Sequence, residues 1–353
     1  LKTGGKDMLK IKRGRLLAAP AFAVTLLFGA VASAPAQDKI SLRVADSLPL
    51  THVFSVGFQH WMKRVTEITN GQVEFQHFPN EQLAKRRDLF DMARNGTVDI
   101  AYVVPVDHPA QLARSTSVEL PGFATLSACG TPVLQGLMKA YGEEEYLKND
   151  VRPLFALYVG GYEVFSNKDV RLPGDVAGMK IRSGGGSQDV TLKTLRAVPV
   201  TLASPEVYEA VERRTIDGVL FPWTGVPPYK LDEVTRNATY GAALGATALT
   251  YVMNEAAYSK LPQNVKDAMT QATAEATPDM IAAQDKTLTE LVEKVRSSGM
   301  SITDLTAEDR AAWRQALVEV EKAWSDAASR NGVADPAAVI AKRDELAAAA
   351  NCG

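Results

Sequence analysis

The residue best placed to do chemistry is Arg182. It ends the run Gly178-Met179-Lys180-Ile181-Arg182 and is followed by Gly184, Gly185 and Gly186, which lead into the helical pattern of Asp189 to Leu195. In open α/β sheets ligands meet the carboxyl ends of strands, and a guanidinium there offers a planar fork that fits a carboxylate. The competing reading is a surface arginine lying over apolar neighbours. Glu163 and Asp217 could serve as acid and base if the fold paired them, yet no nucleophile motif accompanies them, so no catalytic residue is assigned. The histidines are His52, His60, His77 and His108, the cysteines are Cys129 and Cys352, and there is no CxxC pair. No transition-metal cluster is indicated. No GxxxxGKS or GxxxxGKT segment points to ATP, and no cofactor is called for.

The elements that must hold Arg182 follow from the pattern. Leu172 to Trp223 reads strand, glycine turn, helix, strand, helix, strand, with Pro205 to Arg213 as the second helix. Upstream, Lys39 to Ala45, Val73 to Phe78 and Val98 to Val104 read as strands. Phe54 to Thr69 and Leu83 to Arg94 read as the helices between them, the second closed by Asn95-Gly96. This βα rhythm predicts a mostly parallel sheet covered by helices. Val151 to Val159 is apolar enough for an inter-domain strand, and Gly160-Gly161 permits a bend or a close backbone approach. Val234 to Tyr251 carries the chain back through the hinge. From Leu261 the chain is helical: Pro278 kinks or interrupts one helix, Trp313, Leu317, Val320 and Trp324 mark another, and residues 334–350 form an alanine-rich last one.

Several of these segments, taken together, resemble the DctP-type solute-binding proteins of tripartite ATP-independent periplasmic (TRAP) transporters. The resemblance rests on Gly178 to Arg182, Pro199-Val200, Pro205 to Val211 and Asp217-Gly218. It rests equally on Ser47-Leu48-Pro49 before His52, Thr69 to Val73, Phe78 to Leu83, Asn95 to Asp99 and Leu261-Pro262, in order over roughly residues 40–300. It implies an extracytoplasmic, non-catalytic α/β protein: a hinge-connected two-domain clamp of the periplasmic binding protein type (type II-like) with long C-terminal helices. It further implies a small organic acid as ligand, a salt bridge from Arg182 to its carboxylate, and a small and a large integral membrane subunit as partners. The loop Ser47 to His52 would line the cleft, although His52 on its own residue chemistry fits a local hydrogen bond equally well.

The sequence departs from the family at two points. Many members carry an arginine two residues after the glycine matching Gly161, where this chain has Glu163. Many dicarboxylate and sugar-acid binders carry an asparagine after an Asp-Gly pair, where this chain reads Asp217-Gly218-Val219-Leu220-Phe221-Pro222-Trp223. A dianion would then meet an unpaired carboxylate, so the expected ligand is a monocarboxylate rather than a C4-dicarboxylate. Phe221 and Trp223, two apart in a β-run, would share a face and could stack on an apolar ligand or pack the second domain's core. Tyr158, Tyr162 and Tyr208 are further candidates for that wall. A C4-dicarboxylate binder, a protein presenting ligand to a membrane sensor, and a secreted enzyme are the alternatives.

The N-terminal region reads as an export signal. Lys10, Lys12, Arg13 and Arg15 precede the apolar stretch Leu16 to Val31, and Ala34-Pro35-Ala36 supplies small residues for cleavage after Ala36 into the periplasm. The whole chain has 39 basic and 41 acidic residues. Removing residues 1–36 takes away six basic and one acidic residue, leaving a net charge of −7. Scattered Lys and Arg on an acidic chain argue against nucleic acid as a partner. The expected division is 37–158 with about 249–285 as the first domain, and 159–248 with about 286–353, including the C-terminal helices, as the second. A monomer is expected. A bridge between Cys129 and Cys352, unpaired thiols and intermolecular pairing are all compatible with the spacing.

Overall fold

The computed structural model describes residues 39–297 and 299–350. The leader read in residues 1–36 and the far end of the Cys129 to Cys352 bridge lie outside the described residues, although Cys129 itself is disulfide-bonded. In chain order the strands are β1 (Ile40–Ala45), β2 (Val73–Phe78), β3 (Ile100–Val103), β4 (Val151–Val159), β5 (Tyr162–Ser166) and β6 (Lys180–Ser183). They continue as β7 (Val198–Thr201), β8 (Gly218–Pro222), β9 (Asn237–Tyr240), β10 (Thr247–Asn254) and β11 (Ser301–Asp304).

They build two α/β domains, one on the sheet β2-β1-β3-β10-β4 and the other on β11-β9-β5-β8-β6-β7. The inner strands β3, β5, β8 and β10 are buried along their whole length, which explains their continuous apolar runs. Both sheets are mixed where the βα rhythm predicts a mostly parallel one. β1 pairs parallel with β2 and β3, but β10 pairs antiparallel with both β3 and β4. The cause lies in the crossings: β4 leads out of the first sheet and β10 leads back into it, so the two neighbours run in opposite directions. Gly161 turns the outgoing chain at φ +67°, and a Cβ on Gly160 would come within 2.4 Å of the Thr125 carbonyl oxygen.

The helix expected over Leu83 to Arg94 is shorter. A loop with Asn80 and Glu81 at φ 55° and 56° leads into a 3-10 turn, Arg86–Asp88, and only Leu89–Arg94 is α-helical. Among the C-terminal elements, helix Gln263–Ser297 runs unbroken through Pro278 for 35 residues, about 50 Å at the usual rise. Its first half buries Val265, Met269 and Ala272 in the first domain's core, beside helix Val53–Ile68. Its second half buries Leu288, Leu291, Val292 and Val295 in a core with Phe165 and Trp223 of the second domain. Helix Ala307–Arg330 packs Trp313, Leu317, Val320 and Trp324 on the other face of the second sheet. The Trp324 indole also donates to Thr116 Oγ1 at 2.9 Å, tying this helix to the segment before Leu120.

Two buried carboxyls make stability depend on pH. Burial pushes Glu119 up to about 8 and Glu145 up to about 7, against hydrogen bonds from Ala248 and Ser187 to the first and from Ser115 and Arg114 to the second. Each binds its proton more tightly folded than unfolded, so their stabilisation is complete below about pH 4.5 and is lost as pH rises toward about 8. The thermal midpoint is therefore expected to be a few degrees lower at about pH 8.5 than at about pH 5.5. Scanning calorimetry of the wild type and Glu119→Gln checks this. A midpoint in the wild type that rises across the window would contradict it, and the variant should show a flatter profile.

Candidate functional site

β6 carries Arg182 to the carboxyl end of the strand, where the chain turns through the glycines into helix Ser187–Thr194. The guanidinium is buried, at 2% exposure. Its Nε donates to the Leu202 carbonyl at 3.0 Å, Nη1 to the Leu220 carbonyl at 3.4 Å and Nη2 to Ser204 Oγ at 3.3 Å. A guanidinium has five N–H groups, so two stay available. Among the described residues no carboxylate pairs with it. Burial lowers its pKa to about 10, so it keeps its charge at neutral pH. A buried, uncompensated cation with spare donors is what a captured anion would complete.

Arg182 lines a partly open cavity of about 50 Å³ between the two sheets. On that measure one water needs roughly 10–15 Å³, so the space suits a compact ligand. The first domain contributes Leu48, His52, Arg86, Tyr102, Val104, Val106, Val159, Thr247 and Leu249, and the second Tyr162, Gln188, Ser204, Phe221 and Tyr229 beside Arg182. The Phe221 ring lies 4.7 Å from the Arg182 guanidinium carbon and edge-on to Tyr229. Thr247 Oγ1 meets the Tyr162 hydroxyl at 2.7 Å and Gln188 Nε2 at 3.4 Å, a polar contact from one sheet to the other. A Cβ on Gly186 would strike Val106 at 1.8 Å, so only glycine allows this approach.

Burial keeps the wall neutral apart from the arginines. It raises the Tyr102 and Tyr162 hydroxyls and pushes Tyr229 up to about 12. His52 drops to about 4 for the same reason, with Asp46 opposing. Both roles considered for His52 coexist. Nδ1 accepts from the Phe54 N–H at 3.3 Å and caps helix Val53–Ile68, while the ring lines the cavity. The cap bond leaves Nε2 as the protonated nitrogen, and hence as a donor.

Five other candidates lie elsewhere. Glu163 does not line the cavity: although it lies opposite Phe221 in the β5–β8 pair, its carboxylate is drawn to β9 and the link that follows it, and Tyr162 at the start of β5 reaches the cavity instead. Its carboxylate accepts from Thr239 Oγ1 at 2.6 Å and from the N–H groups of Gly241 at 2.9 Å, Ala242 at 3.1 Å and Ala243 at 3.4 Å. Trp223 is core, edge-on to Phe165 at 4.8 Å; β8 ends at Pro222 and a 3-10 turn, Trp223–Gly225, breaks the alternation that would have set it beside Phe221. Tyr208 is on the outside, bonded to Glu233 at 3.2 Å. Tyr158 is buried on the Ala124 carbonyl, and Asp217 caps Lys180 N–H, so Glu163 and Asp217 do not pair.

The second cation in the cavity is Arg86, which the sequence reading did not single out. Its Nη2 meets Asp107 Oδ1 at 2.9 Å, with side-chain exposures of 11% and 1%. Its Nε and Asp107 Oδ2 are buried with no hydrogen-bond partner. Asp107 closes a 3-10 turn, Pro105–Asp107, directly after β3. The prolines at 105 and 109, which mark a loop directly after β3, are the available signal for this pair.

Residues 44–327 match the model of the DctP family, described as bacterial extracellular solute-binding protein, family 7. The chain is 26% identical over 338 residues to the C4-dicarboxylate-binding periplasmic protein DctP of Rhodobacter capsulatus, covering 94% of this chain and 98% of that one. Its fold is similar to a TRAP solute-binding protein from Rhodoferax ferrireducens T118 in complex with copurified benzoate, with a TM-score of 0.82, 22% identity and coverage of 89% and 99%. It is also similar to a TRAP periplasmic solute-binding protein from Bordetella bronchiseptica with bound (R)- and (S)-mandelate, with a TM-score of 0.76, 25% identity and coverage of 87% and 98%. The chain belongs to the DctP family of bacterial extracellular solute-binding proteins, the non-catalytic periplasmic subunits that capture small organic acids for the small and large membrane subunits of TRAP transporters.

Proposed function

We propose that this subunit captures a small monocarboxylate with an apolar, preferably aromatic, body and takes it in preference to a C4-dicarboxylate. The observation that carries this reading is the charge of the cavity. Arg182 has spare donors and no counter-ion, whereas Arg86 is already matched by Asp107. One uncompensated positive charge suits one carboxylate, held as a bidentate pair. Leu48, Val104, Val106, Leu249 and Phe221 give the rest of the ligand an apolar surface, with the edge-on Phe221 and Tyr229 rings available for stacking. Glu163, occupied by Thr239 and the N–H groups of residues 241–243, has no part in this preference.

The relatives' ligands point both ways: the 26% identical Rhodobacter protein is named for C4-dicarboxylates, and the 25% identical Bordetella structure holds mandelate. Identity at this level does not choose between them, and the charge count favours the second. Calorimetry should compare succinate, malate and fumarate with benzoate, mandelate and aromatic 2-oxo acids. At least one monocarboxylate is expected to bind about tenfold or more tightly than any of the three dicarboxylates. Submicromolar succinate binding with no response to any monocarboxylate would overturn the reading.

A further inference from the structure

We propose that Asp107 is a specificity-determining residue: by neutralising Arg86 it holds the cavity to a single free positive charge and thereby rejects a second ligand carboxylate. The inference deepens the monocarboxylate reading and rests on it for the identity of the preferred ligand.

Arg86 reaches the cavity from the first domain and Arg182 from the second. Tyr162 and Tyr229 lie close enough to both to feel the two charges, so the guanidiniums flank one space. Without Asp107 that space would present two cations on opposite walls, the arrangement a dicarboxylate needs. Asp107 removes one of them. Its Oδ1 takes Arg86 at 2.9 Å and also lies 3.6 Å from Arg87 Nε. Arg87 is 57% exposed and screened by water, so the buried partner of Asp107 is Arg86. The pair is not fully satisfied as a structural brace would be, because Arg86 Nε and Asp107 Oδ2 both stay without partners. The other acidic groups near the cavity cannot do the same work. Asp46 is engaged by Tyr251, His77 and the Leu48 N–H, and Glu119 bonds Ala248 and Ser187. A dicarboxylate would therefore meet the Asp107 carboxylate beside the second cation it needs, and like charges in a desolvated site repel strongly.

The test uses the full mature chain with succinate and mandelate as probes, read by calorimetry, with circular dichroism to establish folding. Asp107→Asn keeps the shape and removes the charge, and is expected to raise succinate affinity about tenfold or more over wild type. Asp107→Ser serves if the Asn variant does not fold. The double variant Arg86→Gln with Asp107→Asn removes both charges and should reject succinate as the wild type does. Unchanged or weaker succinate binding in the single variant, or tight succinate binding in the double variant, overturns the proposal. A wild type that prefers succinate to mandelate would count against the monocarboxylate reading, while the change between wild type and Asp107→Asn still decides the role of Asp107.

Discussion

Arg182→Met is expected to weaken binding of the ligand by about thirtyfold or more, because truncating one partner of a buried, hydrogen-bonded charge pair costs about 2–5 kcal/mol. The ligand-free protein should lose far less. The variant leaves the carbonyls of Leu202 and Leu220 and the Ser204 hydroxyl without their donor, at about 1–3 kcal/mol for each group that water does not reach. Against this, it removes a buried cation with no counter-ion, whose desolvation costs several kcal/mol. The two effects oppose each other, so the unliganded melting point should move little while affinity collapses. Calorimetry and thermal unfolding on the same preparations separate them. Equal affinity in both proteins, for a ligand whose carboxylate is independently shown to be required, would remove Arg182 from the binding role.

Glu163→Ala should have the largest effect on stability, about 3–5 kcal/mol, since it strands four donors at once, two buried and two partly buried, at about 1–3 kcal/mol for each that water does not reach. The Thr239 hydroxyl and the three N–H groups of Gly241, Ala242 and Ala243 converge on this one carboxylate. Burial raises its pKa while those donors pull it back, so the group is held in place by hydrogen bonds rather than by a cation. Residues 241–243 begin the link from β9 to β10, one of the crossings between the sheets, so the carboxylate fastens that crossing to β5. Glu163→Gln should fall between wild type and Ala, because its amide group offers one acceptor oxygen where the carboxylate offers two. Urea unfolding gives the magnitudes; a loss below about 1 kcal/mol for Ala would contradict the staple. Selectivity between mono- and dicarboxylates should be the same in Glu163→Gln as in wild type, since the side chain never faces the ligand.

These two residues also mark what could be read from the sequence. Arg182 and Phe221 line the cavity because both follow from rules that act locally: a strand end before a glycine turn, and alternation within a strand. Counting two residues on from Gly161 reaches Glu163, but the count does not register that the donors of Thr239 and residues 241–243 draw this side chain off, while Tyr162 reaches the cavity. Trp223 failed for a related reason, because alternation was extended one residue past the end of β8. Arg86 was missed because Leu83 to Arg94 has acceptable helical spacing, and in a regular helix Arg86 is one more surface cation. Positive φ at Asn80 and Glu81 defers the helix and turns the arginine inward, a backbone choice that hydrophobic periodicity does not register. The strands of both sheets were mostly legible, since their apolar runs are long; the antiparallel insertion of β10 depends on where the chain crosses, which no local pattern encodes.

The 35-residue helix Gln263–Ser297 is clamped at one end in the first domain's core and at the other in the second's. The first core holds it as far as Met280, and Gln284 Nε2 already donates to Thr224 Oγ1 of the second domain at 2.6 Å, so it passes from one core to the other within about one turn. Pro278 lies just on the first-domain side of that crossing, and without an N–H it leaves the Ala274 carbonyl without its helical donor. Any rotation of one sheet against the other would have to bend this one continuous rod or shift a packed core, and the turn where the bend would fall is next to the one helical bond the proline removes.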